Sequence, residues 1–159
     1  MKPGLDITIV IDTREQDPLR FTLPVERGTL TTGDYSMRGL ERFIGIERKS
    51  PDDLTGCLKN GQRERFEREL SRGRGLDYFA LVVEADMSAL AAGEYRSAML
   101  PKAVMQSLLC FSVRYRLPIF FCPGRAYAAR VIESLLIKYA TEVEKRYEAL
   151  MGIKKGENQ

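Results

Sequence analysis

Short apolar runs alternate along this chain with longer segments in which apolar residues have a helical spacing. The runs Ile7–Ile11, Tyr78–Glu84 and Leu117–Cys122 are rich in β-branched or aromatic residues, which is typical of buried strands. Gly33–Met37 and Phe43–Lys49 flank a short polar turn and are predicted to form a β-hairpin. Since strands that alternate with helices pack as a sheet covered by helices, the pattern predicts an α/β fold with a mixed β-sheet flanked by helices.

Helical spacing extends over three regions of the sequence. The first begins at Pro51, where two following aspartates suit the positive end of the helix dipole. This region is predicted to be interrupted at Asn60-Gly61. The other two predicted helices are Pro101–Tyr115 and Arg125–Leu150.

The chain of 159 residues is long enough to bury the core of one domain, predicted to comprise residues 1–150 and to be followed by a flexible tail of residues 151–159. No apolar stretch reaches the roughly 20 residues that span a bilayer, so no membrane segment is predicted. An aspartate interrupts the apolar N-terminal stretch, which argues against a signal peptide and predicts a cytoplasmic protein. The net charge of +3 is a weak indication of nucleic-acid binding.

The amino-acid composition excludes several kinds of catalytic site. The sequence contains no histidine, which excludes a Ser-His-Asp triad, a Cys-His pair and a histidine-dependent nuclease. Cys57, Cys110 and Cys122 are widely spaced and form no CxxC pair, so we interpret them as reduced thiols rather than zinc ligands. Catalysis must therefore use carboxylates, lysine, tyrosine, cysteine or a metal ion.

Acidic residues lie at or near three predicted strand ends, at Asp12, Asp34 and Glu47. Glu47 and Lys49 are two residues apart, so their side chains project to one side of a strand, while Arg48 projects to the other. A carboxylate that binds a divalent cation beside a lysine can hydrolyse a phosphodiester. Lys49 would orient or deprotonate a water, or stabilise charge on the phosphate. Taken singly, each of these residues is more often a solvated surface charge, and only their combination in this order favours a site.

The segments GDY and ERKSPDD occur in this order, at Gly33–Tyr35 and Glu47–Asp53. Together they resemble the signature of the XPF-type structure-specific endonucleases, a branch of the PD-(D/E)XK nuclease superfamily. The segment IDTRE, at Ile11–Glu15, resembles an upstream element of the same family. The resemblance extends over roughly Ile7–Tyr139 and implies a restriction-endonuclease-like mixed β-sheet flanked by helices.

The resemblance implies a divalent-metal-dependent endonuclease that cuts branched, flapped or forked DNA in repair or recombination. Mg²⁺ is the expected cofactor, and Mn²⁺ is expected to substitute for it. The implied roles are catalysis by Asp12, Asp34, Glu47 and Lys49, metal binding by Asp34, Glu47 and Asp12, and support by Arg14, Glu15, Arg48 and Asp53. Arg48 is predicted to pair with Asp53 or Glu15. Arg14 is predicted to contact a phosphate.

Family members of the eukaryotic and archaeal type usually carry a helix-hairpin-helix module after the nuclease domain, whereas few residues follow Tyr139 here. The chain is therefore expected to be a stand-alone form, more similar to a bacterial or phage nuclease. The last predicted helix contains Leu135, Leu136 and Tyr139. These residues are predicted either to pack on the sheet or to form a homodimer.

An arginine-rich segment, Lys59–Gly75, follows the predicted site. Its predicted DNA-contacting residues are Lys59, Arg63, Arg65 and Arg68. Interleaved glutamates make a solvated helix with internal ion pairs an equal alternative. Two other functions stay open: a catalytically silent XPF-like domain that binds DNA or a partner, and a nuclease of the same superfamily that acts on RNA or plain duplex DNA.

Overall fold

The computed structural model describes residues 5–153, so residues 154–159 of the predicted tail lie outside the described part of the chain. The strands are β1 (Ile9–Asp12), β2 (Val25–Gly28), β3 (Tyr35–Met37), β4 (Ile44–Lys49), β5 (Tyr78–Val83) and β6 (Ile119–Phe121). The helices are α1 (Pro51–Cys57), α2 (Arg63–Arg74), α3 (Met87–Ala91), α4 (Pro101–Tyr115) and α5 (Arg125–Leu150). The interruption predicted at Asn60-Gly61 separates α1 from α2, and Gly61 has a φ of 87° there.

The six strands form one sheet in the order β2-β1-β3-β4-β5-β6. β3 runs antiparallel to both of its neighbours, and β3–β4 is the predicted hairpin. The other three pairs are parallel. All strands of this sheet except β3 therefore run in one direction and end at the same edge, which we call the carboxyl edge. It is the edge at which Asp12, Lys49, Val83 and Phe121 end their strands.

Helices cover both faces of the sheet, which confirms the predicted α/β fold. α5 packs on one face, where Ile132 belongs with Ile46 to one buried cluster. The other helices cover the opposite face around a second cluster that includes Phe66. Because side chains alternate along a strand, β4 directs its isoleucines toward α5, and Glu47 and Lys49 toward α2.

α2 approaches β5 closely at Gly73. A Cβ atom at this position would lie 2.2 Å from a ring carbon of Phe79, so any side chain there would force the helix away from the strand. The missing side chain lets α2 pack directly on the sheet. Since α2 also carries charged residues that reach the carboxyl edge, this close packing sets where those residues lie.

The last helix packs on the sheet, which was one of the two predicted alternatives. Leu136 is buried, and Leu135 and Tyr139 pack against the same cluster. The homodimer stays a prediction. Among the helices of residues 5–153, none combines the length and the apolar character that crossing a membrane requires.

Candidate active site

Three acidic residues lie side by side at the carboxyl edge. The register of β1 on β3 and of β3 on β4 places Asp12, Asp34 and Glu47 in a row across three neighbouring strands. The backbone N–H of Asp12 donates to the carbonyl of Asp34 at 2.9 Å, and the N–H of Asp34 donates to the carbonyl of Ile46 at 2.8 Å. Residues that are far apart in the sequence are thus held together by the backbone hydrogen bonds of the sheet.

Glu47 and Lys49 form an ion pair on the face covered by α2. Nζ of Lys49 lies 2.8 Å from Oε1 of Glu47, and the two side chains are 20% and 6% exposed. The same ammonium lies 5.4 Å from the ring centroid of Phe66, on α2. The pair is therefore held between strand and helix, largely out of bulk water.

Each oxygen of the Asp12 carboxylate accepts a hydrogen bond from a neighbour. Oδ2 accepts a hydrogen bond from Nε of Arg14 at 2.7 Å, and Oδ1 accepts one from the backbone N–H of Leu30 at 2.8 Å. Burial opposes the ionisation of this group, but the hydrogen bonds outweigh burial and hold the pKa of Asp12 below its ordinary value. Asp12 thus orients Arg14 in this structure, and its role as a metal ligand stays a prediction.

Asp34 and Glu47 each keep one carboxylate oxygen that is not hydrogen-bonded. Oδ2 of Asp34 accepts the backbone N–H of Arg48 at 2.9 Å, and Oε1 of Glu47 contacts Lys49. Within residues 5–153, neither Oδ1 of Asp34 nor Oε2 of Glu47 accepts a hydrogen bond. These two oxygens are the atoms of the acidic row that remain available to a ligand.

Burial raises the pKa of Asp34 to about 6 and that of Glu47 to about 8. Repulsion from the Asp34 carboxylate adds to the raised pKa of Glu47. Burial alone would lower the pKa of Lys49, but the Glu47 carboxylate reverses this effect and raises it. Lys49 therefore keeps its proton. Its single positive charge does not balance two buried carboxylates.

The side chain of Arg48 projects to the α5 face, as predicted, and lies between two acids. Nη1 lies 2.9 Å from Oε1 of Glu84, and Nη2 lies 3.6 Å from Oε1 of Glu15. Of the two predicted partners, Glu15 is therefore the one observed. Asp53, the other, lies in the first turn of α1, where its backbone N–H donates to Oγ of the N-cap residue Ser50 at 3.1 Å.

Sequence reasoning missed Glu84. This residue directly follows β5, and its backbone N–H donates to the carbonyl of Lys49 at 2.9 Å, which places it beside the end of β4. An acid that closes a continuous apolar strand was the available signal, because a charged group next to a core must be either solvated or paired. The strand order could not be read from the sequence, so nothing indicated which strand end would supply the partner.

Replacing Glu84 with glutamine is expected to lower the free energy of unfolding by about 1–2 kcal/mol, because the buried guanidinium of Arg48 loses one of its two compensating charges. Chemical denaturation measures this loss. Glu94→Gln, which changes an exposed acid, is the control and is expected to change stability by less than about 0.5 kcal/mol. Equal stability of the two variants would show that Arg48 does not depend on Glu84.

The acidic row and the residues around it line a cleft of about 340 Å³ at the carboxyl edge, which we call the catalytic cleft. All eight predicted catalytic, metal-binding and supporting residues line it: Asp12, Arg14, Glu15, Asp34, Glu47, Arg48, Lys49 and Asp53. The structure thus brings them together, although their roles stay predictions. A larger cleft of about 710 Å³ contains none of them.

A family model described as the ERCC4 domain matches residues 11–135, which is most of the chain. The chain belongs to the ERCC4 domain family. This is the XPF-type nuclease family that the sequence motifs resemble, so the predicted family is confirmed. The matched range contains every predicted site residue of this ERCC4 domain. No match was found among curated proteins.

Two solved structures share the fold of this ERCC4 domain. XPF from Aeropyrum pernix has a TM-score of 0.67 and 19% sequence identity, over 89% of this chain and 69% of that chain. XPF from Aeropyrum pernix in complex with DNA has a TM-score of 0.67 and 21% identity, over 85% of this chain and 65% of that chain. These likenesses confirm the predicted mixed sheet of the nuclease fold.

The predicted DNA-contacting residues of the ERCC4 domain point in different directions. Arg65 lines the catalytic cleft. Arg63 points toward α4, where Nη1 donates to Oγ of Ser107 at 2.8 Å and the guanidinium lies 4.9 Å from the ring centroid of Phe111. Nε of Arg63 also lies 3.5 Å from Oε2 of Glu67, which is the predicted alternative of an internal ion pair. Arg63 therefore ties α2 to α4.

Lys59 and Arg68 are exposed and do not line the catalytic cleft, whereas Arg72 does. Arg72 follows Arg65 by two helical turns, so both side chains lie on the same side of α2. Sequence reasoning did not single out Arg72, although this spacing could have identified it. The ERCC4 domain thus has a pair of arginines on α2 beside the acidic row.

Proposed function

We propose that this ERCC4 domain is a divalent-metal-dependent DNA endonuclease that hydrolyses phosphodiester bonds in branched, flapped or forked DNA. The observation that carries the proposal is the placement of Asp34, Glu47 and Lys49 in one cleft, with a free oxygen on each carboxylate. Such a set can hold a cation and stabilise a phosphate beside it. A related fold, XPF from Aeropyrum pernix, is known in complex with DNA, which supports DNA as the substrate.

The donors in the catalytic cleft fit a hard divalent cation that keeps several waters. Mg²⁺ is commonly held by one or two carboxylates together with waters and substrate phosphates. Asp34 and Glu47 supply two such oxygens, and the raised pKa values of these groups reflect negative charge that burial leaves uncompensated. Within residues 5–153, no three acidic, histidine or cysteine side chains form a metal-binding group. A water-rich site agrees with this finding better than a closed protein cage does.

A cation held by these oxygens would supply positive charge to the phosphate and a water of lowered pKa for the attack. Lys49 keeps its proton, so it is suited to stabilise negative charge that develops on the phosphate rather than to act as a general base. Arg14 is oriented through Nε by Asp12 and through Nη2 by the carbonyl of Leu30. Its Nη1 is left to contact a neighbouring phosphate.

A cleavage panel tests the proposed function. The full chain is incubated with flap, fork, four-way junction, duplex and single-stranded DNA, and with single-stranded RNA, in Mg²⁺, in Mn²⁺ and in EDTA. We expect metal-dependent cleavage, faster on branched substrates than on plain duplex. Equal cleavage of plain duplex, or cleavage of RNA, would instead assign a different substrate to the same site.

One feature favours the alternative of a catalytically silent domain. Both oxygens of Asp12 accept hydrogen bonds from the chain itself, and a cation would have to compete with these bonds. Binding of branched DNA without cleavage in any divalent ion would support this alternative. Against this alternative, the catalytic cleft contains all three of the residues Asp34, Glu47 and Lys49.

Replacing Arg65 and Arg72 together with alanine is expected to weaken DNA binding and to reduce the slope of log K against log salt concentration by about two. Each of these arginines can neutralise one phosphate at the rim of the catalytic cleft, and each such contact releases counterions. Fluorescence anisotropy of a labelled duplex, measured in EDTA over a series of salt concentrations, gives the slope.

The control for this pair is Arg42→Ala with Lys138→Ala, which removes two exposed positive charges outside the catalytic cleft. We expect the control to leave the slope close to that of the unaltered chain. A slope that is unchanged in the Arg65 and Arg72 variant would place the DNA on another surface.

A further inference from the structure

A second cleft, larger than the catalytic cleft and distinct from it, lies on the other layer of the molecule. It has a volume of about 710 Å³ and lies between residues 17–22, in the loop after β1, and the first turns of α5. The charged residues that line it are Asp17, Arg20, Arg125, Arg130 and Glu133. Ala126 and Ala129 supply small side chains on α5, so an extended molecule can approach the helix closely.

Both acids of the second cleft are already bound by the chain. Nη1 of Arg125 donates to Oδ2 of Asp17 at 2.8 Å. The Glu133 carboxylate accepts the backbone N–H of Thr22 at 2.8 Å and that of Leu23 at 3.2 Å. These bonds attach the loop to α5. Arg125 neutralises the charge of Asp17, whereas the hydrogen bonds to Glu133 stabilise a carboxylate that keeps its charge.

Arg20 and Arg130 are the other two arginines that line the second cleft. Both side chains are exposed, and neither takes part in an ion pair within residues 5–153. A cleft that carries two guanidinium groups is suited to bind an anion. Each guanidinium has a planar set of N–H donors that matches phosphate oxygens. The ligand class indicated by this chemistry is a chain of phosphate groups.

The second cleft lies at the same edge of the sheet as the catalytic cleft but on the opposite layer. Glu15 and Gln16 line the catalytic cleft, and Asp17 and Pro18, the next residues along the loop, line the second cleft. α5, which forms the wall of the second cleft, begins shortly after β6 reaches the carboxyl edge. The acidic row is therefore flanked by α2 with its arginines on one side and by the second cleft on the other.

From this placement, we propose that the second cleft binds the phosphate backbone of a second arm of a branched DNA, while the first arm lies along α2 and the catalytic cleft. The proposal rests on the proposed function and deepens it. A straight duplex that follows α2 needs no contact with the other layer, whereas a fork or flap has an arm that can turn across the edge. The contacts are with backbone, so they select shape rather than sequence.

The test compares Arg20→Ala with Arg130→Ala, introduced together, against the unaltered chain. Binding to a labelled fork and to an unbranched duplex of equal length is measured by fluorescence anisotropy in EDTA. We expect affinity for the fork to fall about tenfold and its salt slope to fall by about two, with affinity for the duplex changed less than about twofold. Lys102→Ala with Lys138→Ala is the matched control, since it removes two exposed charges outside both clefts.

Three results would overturn the proposal: an unchanged affinity for the fork, equal losses on fork and duplex, or no preference of the unaltered chain for the fork. Cleavage of unbranched duplex in Mg²⁺ or Mn²⁺ is followed in parallel and is expected to be unaffected by the two changes. Cleavage of the unbranched duplex therefore tests the proposed catalysis separately from the proposed DNA binding by the second cleft. If no DNA is cut but the two changes still weaken binding to the fork specifically, the proposed catalysis is wrong and the proposed binding of a second DNA arm is retained.

Discussion

Replacing Lys49 with methionine is expected to lower the rate of metal-dependent DNA cleavage about a thousandfold, within the range that single groups acting on the transition state contribute. Methionine keeps most of the length and the apolar stem of lysine, so packing against Phe66 is preserved. What is lost is the positive charge beside Glu47, which we assign to the phosphate in the transition state. DNA binding in EDTA should change little, because one charge is a small part of the phosphate contacts.

Single-turnover cleavage of a fork in Mg²⁺ measures this effect, with circular dichroism to confirm that the variant is folded. Lys102→Met is the matched control, since Lys102 is an exposed lysine that lines neither cleft. We expect the control to retain cleavage within about threefold, as surface changes away from a site usually do. A folded Lys49→Met protein that cuts at the unaltered rate would remove Lys49 from the mechanism.

Without divalent cations, the free energy of unfolding is expected to fall by up to about 6 kcal/mol as the pH rises from about 4 to 8, since each unit of pKa shift contributes about 1.4 kcal/mol. The ordinary pKa values of the two buried carboxyls are 3.8 for Asp34 and 4.5 for Glu47, and in the folded chain they are raised to about 6 and about 8. Between about pH 4 and pH 8, the folded state therefore binds more protons than the unfolded state. The stability linked to these protons is fully present below about pH 4 and is lost as the pH rises through the folded values.

Asp34→Asn is expected to flatten this dependence and to raise the melting temperature in EDTA at pH 8 by roughly 5–10 °C. The amide oxygen of asparagine can still accept the backbone N–H of Arg48, while the buried negative charge is gone. Mg²⁺ should stabilise the unaltered chain more at pH 8 than at pH 5, and should stabilise the Asp34→Asn protein little.

Calorimetry in EDTA and in Mg²⁺, at several pH values, measures both effects. Asp6→Asn is the control, because Asp6 is exposed and lies outside the catalytic cleft. Stability that rises with pH in EDTA would show that these carboxyls are not held in a desolvated pair. A stabilisation by Mg²⁺ that is equal in the Asp34→Asn protein would place the cation elsewhere.

Much of the local structure could be predicted from sequence, because the spacing of apolar residues differs between strands and helices. Pro101–Tyr115 and Arg125–Leu150 are helices as predicted, and the hairpin before Lys49 is β3–β4. The shared side of Glu47 and Lys49 also follows from local geometry, since side chains two residues apart on a strand project together.

The environment of each site residue could not be predicted in the same way. The sequence does not show that Asp12 is engaged by Arg14 and Leu30, because that depends on the loop after β2 folding back over β1. Nor does it show that Arg63 is directed to α4 while Arg65 is directed to the catalytic cleft. Both arginines belong to one basic segment, and only the packing of α2 between β5 and α4 separates their roles.

The sequence by itself determined the family, the helices other than α3, most strands, and the set of residues from which a phosphodiester-cleaving site can be built. Only the tertiary structure decided that Asp34 and Glu47 keep free oxygens, that Glu84 joins Glu15 in holding Arg48, and that a second cleft opens beside the site. The physical reason is that short-range patterns encode backbone conformation. The order of the strands, and hence which side chains meet, depends on packing between segments that are distant in the chain.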